Sequence, residues 1–161
     1  MTKSPAYSFV REYVDLEFEK LKREKITPWA FFTTDKGVRL RDYFGKQVSY
    51  TGGGLAFEGS PRMYFWNGFI QYFLNDIVSK SFSETLNFCR GHGLDSKLPM
   101  AETAFLLKDG IRRIYAEMAI IDQRLRGKGY PDSVLRYSPE EEIAQSESTC
   151  LGSDQDNPMK F

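Results

Sequence analysis

The feature that most constrains the fold is a strict alternation of three- and four-residue steps between apolar residues 104 and 125. This alternation persists over three heptads, so it predicts one long helix with a continuous apolar seam. Gly127, Gly129 and Pro131 follow the pattern and are expected to end the helix. The residues of the seam are Ala104, Leu107, Ile111, Ile114, Met118, Ile121 and Leu125.

A seam of this period can pack inside one chain or against a second copy. With Ala104 at heptad position a, Glu117 falls at g and Asp122 at the following e, so a parallel homodimer would set two acids against each other. We therefore expect the seam to pack against the other helices of the same chain. An antiparallel homodimer through this third helix remains the alternative.

Two earlier segments also have helical periodicity. The first begins at Ser4-Pro5, where serine suits an N-cap and proline suits the first helical position, and it ends near Lys25. The second begins at Ser60-Pro61, which repeats the start signal. It ends at the stop signal Gly91-His92-Gly93.

Between these two helices the sequence changes to short β-rich runs separated by glycine-containing turns, which predicts an antiparallel meander of three or four strands. Period-two alternation would turn Arg39 and Arg41 outward. The expected fold class is therefore α+β and helix-rich, with an N-terminal helix, a small meander and then two long helices packed together. The predicted strands cover residues 29–34, 38–41, 48–51 and 55–57.

The zero net charge of the 161 residues hides an uneven distribution. Residues 138–161 hold six acids and one base, which leaves 21 bases and 16 acids in residues 1–137. A hydrophobic content of 41% is enough for one core in a chain of this length. We predict a single globular domain over residues 1–137, followed by a flexible, disordered acidic tail over residues 138–161.

No secretory signal is evident at the N-terminus, because neither an apolar segment nor a cleavage site follows Met1. The longest nearly uninterrupted apolar stretch, residues 63–74, is about half of what a bilayer-spanning helix needs. Two cysteines, Cys89 and Cys150, do not make a disulfide framework. We expect a soluble, intracellular protein of the cytoplasm that makes no membrane contact.

The chain lacks the residues that most catalytic and metal sites need. His92 is the only histidine, and its C-x-x-H spacing to Cys89 supplies at most two zinc ligands. Neither phosphate-binding glycine motif occurs, so Gly52-Gly53-Gly54 is better interpreted as a flexible connection. We predict no catalytic residue, no metal and no cofactor, and we favour a non-catalytic protein over an enzyme. A mechanism based on carboxylates alone stays open.

Six aromatic residues within residues 64–73 cover nearly every face of the second helix. Burial between neighbouring elements accounts for most of them. An exposed remainder would anchor a partner, since tyrosine and tryptophan dominate interface energetics. Our first hypothesis is therefore a protein–protein interaction module, such as an adaptor, an inhibitor or an immunity-type binding protein. Its predicted partner-binding residues are Tyr64, Trp66, Tyr72, Arg39 and Arg41.

The alternative hypothesis is a nucleic-acid-associated protein. Basic residues gather toward the end of the third helix, where they would contact phosphates, while the acidic tail would compete for the same surface. The helix macrodipole offers a simpler explanation for cations at that end. The predicted phosphate-binding residues are Arg112, Arg113, Arg124, Arg126 and Lys128.

Overall fold

A computed structural model describes residues 2–27, 38–50 and 69–127. The predicted tail and the predicted start of the second helix lie outside these residues. The described part of the chain is helix-rich, and its three α-helices pack on one another in every pairing. Its elements are α1 (Tyr7–Leu21), a π-helical turn (Lys22–Ile26), β1 (Val38–Arg41), β2 (Gln47–Tyr50), α2 (Gln71–Gly91) and α3 (Lys97–Gly127).

Helices α1 and α2 run antiparallel. Near the start of α1 the ring of Phe9 stacks on Phe88, at the end of α2, with centroids 4.5 Å apart. Beyond the end of α1, Lys25 places its ammonium 5.1 Å from the ring centroid of Phe73, near the start of α2. The start of α1 therefore lies beside the end of α2, and the segment that follows α1 lies beside the start of α2.

Helices α1 and α3 run parallel. Ser4, just before α1, donates from its backbone N–H to Glu102 at 2.9 Å and also from its hydroxyl to the same carboxylate. Farther along, Arg113 donates to Asp15 at 3.1 Å. The expected N-cap role of Ser4 is wrong, because no side chain caps α1, whose N-cap position is Ala6. The Ser4 hydroxyl ties the helix start to α3 instead.

One apolar core fills the space between the three helices. Leu107, Ile111 and Ile114 of the seam are almost fully buried in it, so this part of the seam packs within the chain, as predicted. The side chains of Met118, Ile121 and Leu125 lie outside the described part. The helical residues of the core are Val10, Val14, Phe18, Leu21, Ile26, Phe69, Ile70, Leu74, Ile77, Val78, Phe82, Cys89, Leu106, Leu107, Ile111, Ile114 and Tyr115.

The π-helical turn changes which residue after α1 reaches the core. Leu21 and Ile26 lie five positions apart in the sequence, and both are buried. This interval is wider than one turn of an α-helix. The wider turn puts Ile26 into the core and leaves Lys25 at its edge. Lys25 can therefore contact the hairpin described below.

The end of α2 confirms the stop predicted at Gly91-His92-Gly93. Gly93 has a φ of +62°, a conformation that favours glycine. Leu94 donates its N–H to the carbonyl of Cys89 at 2.8 Å, and Gly93 donates to Arg90 at 3.4 Å. These two bonds form a Schellman motif, which satisfies the last carbonyls of the helix.

The predicted α+β class, with a meander of three or four strands, is wrong. The described residues contain one antiparallel pair of four-residue strands, with Val38 opposite Tyr50 and Arg41 opposite Gln47. The predicted strands at residues 29–34 and 55–57 lie outside the described part. Among the described residues, the helices supply most of the core, and this hairpin adds Leu40 to it.

No helix in the described ranges is long and apolar enough to cross a bilayer.

A small polar cluster lies between α2 and α3. The hydroxyls of Thr85 and Thr103 are 2.8 Å apart, and each also lies 2.8 Å from a backbone carbonyl four residues earlier on its own helix. Ser81 is buried beside them, but within the described structure its hydroxyl has no hydrogen-bond partner. Such a group is destabilising because its hydration is lost without replacement.

Replacing Ser81 with alanine should therefore raise the free energy of unfolding by about 1 kcal/mol, from the removed orphan hydroxyl and the better helix propensity of alanine. Ser83→Ala is the matched control, because Ser83 is exposed on the same helix and its replacement changes propensity alone. Urea unfolding followed by circular dichroism measures both. A Ser81→Ala variant less stable than the wild type would show that this hydroxyl makes a useful bond.

Candidate functional site

The tight turn of the hairpin presents two aromatic residues at its tip. Asp42 holds the turn, because one of its carboxylate oxygens accepts from the N–H groups of Phe44 and Lys46 at 3.0 and 2.8 Å. Gly45 donates its N–H to the Asp42 carbonyl and has a φ of +82°, which suits the left-handed position of a three-residue hairpin loop. The turn therefore has a fixed shape, with Tyr43 and Phe44 between its ends.

These two rings join two rings of α2 to form a cluster that we call the aromatic patch: Tyr43, Phe44, Tyr72 and Phe73. Phe44 meets Tyr72 edge to face, with centroids 5.1 Å apart. Tyr43 contacts Phe73 edge to face at 5.7 Å and lies parallel to Tyr72 at 6.4 Å. The patch thus links the hairpin to the first turn of α2.

Much of the aromatic patch faces solvent. Phe44 is 70% exposed and Tyr72 is 44% exposed, while Phe73 is half-buried and connects the patch to the core. Single exposed apolar residues are common on protein surfaces, but contiguous ones mark interaction sites more often. The exposure of Tyr72 agrees with its predicted position on an accessible side of the second helix.

A carboxylate of α2 fixes the orientation of the Tyr43 ring. The Tyr43 hydroxyl donates to Asp76 at 3.0 Å, and Lys80 contacts the other oxygen of the same carboxylate at 2.8 Å. The hydrogen bond to Asp76, followed by its negative charge, raises the pKa of Tyr43 above the usual 10.0. The pKa of Lys80 is also raised, mainly by its bond to Asp76. Tyr43 therefore stays a neutral donor at physiological pH.

Lys25 attaches the end of β1 to the helices. Its ammonium donates to the carbonyl of Arg41 at 2.7 Å and lies near the rings of Phe73 and Phe69. Arg41 in turn donates from its guanidinium to the carbonyl of Gly45 at 3.1 Å. The exposed guanidinium of Arg41 is thereby held at the base of the same turn that carries the aromatic patch.

A shallow cavity of about 250 Å³ lies beside the aromatic patch, with Tyr43 and Phe73 in its wall. Leu21 and Ile77 also line the cavity, which opens to solvent, and its other lining residues are charged and of mixed sign. The charged lining residues are Glu17, Lys20, Glu24, Lys25, Asp76 and Lys80.

The structure brings together two of the predicted partner-binding residues, Tyr72 and Arg41. Arg39 lies in β1 opposite Ser49, but its side chain is outside the described part, as are Tyr64 and Trp66 entirely. The sequence pattern did not single out Tyr43 or Phe44, because it indicated only a glycine-containing turn at this point. The available signal was two aromatic residues between Asp42 and Gly45, since the tip of a tight turn is a position that a chain exposes.

The predicted phosphate-binding residues are only partly described. Arg112 and Arg113 are exposed on α3, and Arg113 contacts Asp15 at 3.1 Å and Asp109 at 3.2 Å. Arg124 and Arg126 belong to α3, although their side chains are outside the described part, and Lys128 lies beyond it. Two carboxylates therefore offset the charge of Arg113.

Cys89 and His92 both make structural contacts. Cys89 is buried in the core, and burial raises the pKa of its thiol. His92 stacks on Phe88, with its Nδ1 2.9 Å from the Phe88 carbonyl. Among the described residues, no three potential metal ligands of the His, Cys, Asp or Glu type come together.

The chain matches no protein-family model, no curated protein and no solved structure. Its function is therefore inferred from the arrangement of its own side chains.

Proposed function

We propose that the protein is a non-catalytic interaction module that docks a partner protein on the aromatic patch. The observation that supports this most is the contact between Phe44 and Tyr72, two largely accessible rings brought together from separate elements. Burying such rings against a partner removes a large apolar area from water. Tyrosine and arginine are frequent among binding hot spots, and Tyr43 and Arg41 both belong to this hairpin.

The turn is organised for binding before any partner arrives. Asp42 fixes the backbone of the turn, and Asp76 fixes the ring of Tyr43. An ordered surface loses less conformational entropy on association, so more of the contact energy contributes to affinity.

The charges around the turn favour a particular partner chemistry. Arg41 and Lys46 are exposed at its two sides, whereas the nearby Asp42 carboxylate accepts two backbone N–H groups. The fitting partner is therefore a protein surface with apolar or aromatic anchors bordered by acidic side chains. An adaptor, an inhibitor or an immunity-type protein would use such a surface, and a cytoplasmic location forms part of the proposal.

A double variant, Phe44→Ala with Tyr72→Ala, tests the proposal. Both rings are exposed, so the fold should persist, while binding should weaken by at least about 30-fold if they act as hot spots. Leu16→Ala is the matched control, because Leu16 is 65% exposed on α1, outside the patch. Tagged versions of all three proteins are compared by quantitative mass spectrometry of captured proteins.

The expected result is a set of proteins retained by the wild type and by Leu16→Ala but lost by the double variant. Circular dichroism and thermal unfolding establish that the double variant is folded. Equal capture by all three folded proteins would exclude the aromatic patch as the docking site.

A further inference from the structure

Helix α3 has a second apolar surface on the side that faces away from the core. Its residues are exposed, and two of them are large: Phe105 is 70% exposed and Ile120 is 61% exposed. We call this surface the outer stripe, and it consists of Ala101, Phe105, Asp109, Arg112, Ala116 and Ile120. A surface helix normally carries polar residues on this side, so the stripe calls for an explanation.

The outer stripe can pair with the outer stripe of a second, antiparallel copy. The spacings between its successive residues are four, four, three, four and four, and this order is the same from either end. Two antiparallel copies therefore match small residues with large ones and an acid with a base. The matched positions are Ala101 with Ile120, Phe105 with Ala116, and Asp109 with Arg112.

Helix geometry places all six residues on one side of α3. A step of four residues moves the side chain about 40° around the helix axis beyond one full turn, and the step of three residues moves it back by about 60°. All six side chains therefore lie within a sector of about 100°. The buried seam residues Leu107, Ile111 and Ile114 occupy the opposite side. Pairing through the outer stripe would therefore leave the core intact.

We propose that two copies of the chain associate antiparallel through their outer stripes. Phe105 of each copy packs on Ala116 of the other, where the small side chain leaves room for the ring. The carboxylate of Asp109, which is exposed beside Arg113, faces Arg112 of the second copy. The outer stripe is a different surface from the seam, which was the other possible homodimer interface. The seam is buried within the chain as far as Ile114.

The direction of pairing follows from the charges at the centre of the stripe. A parallel pair would place Asp109 against Asp109 and Arg112 against Arg112, which is repulsive at both positions. An antiparallel isologous pair makes each acid–base match twice. Charge and side-chain size therefore select the same arrangement.

The association should be reversible. The stripe runs about 30 Å along one helix, and a single pair of helices buries less than the roughly 800 Å² per partner of a standard interface. We expect a dissociation constant in the micromolar range. The dimer does not depend on the proposed function, because the aromatic patch belongs to the hairpin and α2.

Sedimentation equilibrium of the full chain, from about 1 to about 500 µM, brackets a micromolar dissociation constant. The wild type should change from monomer to dimer across this range. Phe105→Ala should raise the dissociation constant at least about tenfold, since an aromatic anchor is lost from both copies. Leu16→Ala removes a similarly exposed apolar side chain outside the stripe and should leave the equilibrium unchanged.

A charge exchange tests the antiparallel alignment. Asp109→Lys and Arg112→Glu should each weaken the dimer, because each creates two like-charge contacts. The double variant restores opposite charges and should return the dissociation constant to within about threefold of the wild type, as a double-mutant cycle requires. A wild type that stays monomeric, a dimer indifferent to Phe105→Ala, or a double variant as weak as the single ones would overturn the proposal.

Discussion

Gly110→Ala is expected to lower the free energy of unfolding by about 2 kcal/mol, even though alanine is the better helix former by roughly 1 kcal/mol. Gly110 is buried on the side of α3 that faces α1. A Cβ atom there would lie 2.5 Å from Cζ of Phe18, far closer than two non-bonded carbon atoms can approach. Steric overlap at this helix crossing therefore outweighs the gain in propensity.

Gly91→Ala is the matched control for this substitution. Gly91 also lies in a helix, but nothing within 4 Å would meet an added Cβ. Its replacement should be neutral or slightly stabilising, by up to about 1 kcal/mol. Urea unfolding of both variants, and of Gly110→Ala combined with Phe18→Leu, measures the effect. A double variant no more stable than Gly110→Ala alone would show that overlap with the Phe18 ring is not the cause of the loss.

Leu107→Ala is expected to lower the free energy of unfolding by about 3 kcal/mol, within the usual range for a buried leucine. Leu107 is fully buried in the seam of α3, so its truncation removes apolar contacts and leaves a cavity. Leu98→Ala makes the same chemical change on the exposed side of the same helix. That control should cost less than about 0.5 kcal/mol. Equal losses in urea unfolding would contradict the assignment of the seam to the core.

The three helices were predictable because their signals are local. The seam of α3 repeats over residues 104–125, and the glycines at 91 and 93 mark the end of α2 without any knowledge of its neighbours. That the seam packs within the chain followed from Glu117 and Asp122, whose positions disfavour a parallel dimer. The structure confirms this packing for the described seam residues.

The predicted meander failed because strand pairing is not a local property. The β-rich run at residues 38–41 is a strand, but its sequence does not specify how many other strands join it. Ser4 shows the same limit at a helix start. It has the sequence signature of a cap, yet Glu102, 98 residues away, accepts its N–H and hydroxyl bonds. The role of such a residue depends on partners that are distant in the sequence, and local patterns do not reveal these partners.

The aromatic patch was half predictable. Tyr72 belongs to a conspicuous aromatic run, and an exposed ring in such a run indicates a partner-binding site. Tyr43 and Phe44 belong to no such run, and the sequence around them predicts only a turn between two strands. Their contact with Tyr72 depends on how the hairpin docks on α2, through Lys25 and Asp76, and no spacing in the sequence encodes that docking.

Site-specific photo-crosslinking in cells that produce the protein tests the docking role of the aromatic patch most directly. The photoreactive analogue p-benzoylphenylalanine is placed at Phe44 and, as the matched control, at Leu16. We expect a discrete adduct with a different protein from position 44 and no such adduct from position 16. Adding Tyr72→Ala should reduce the yield of the adduct from position 44. Identical adducts from both positions, or none from position 44, would contradict the docking role.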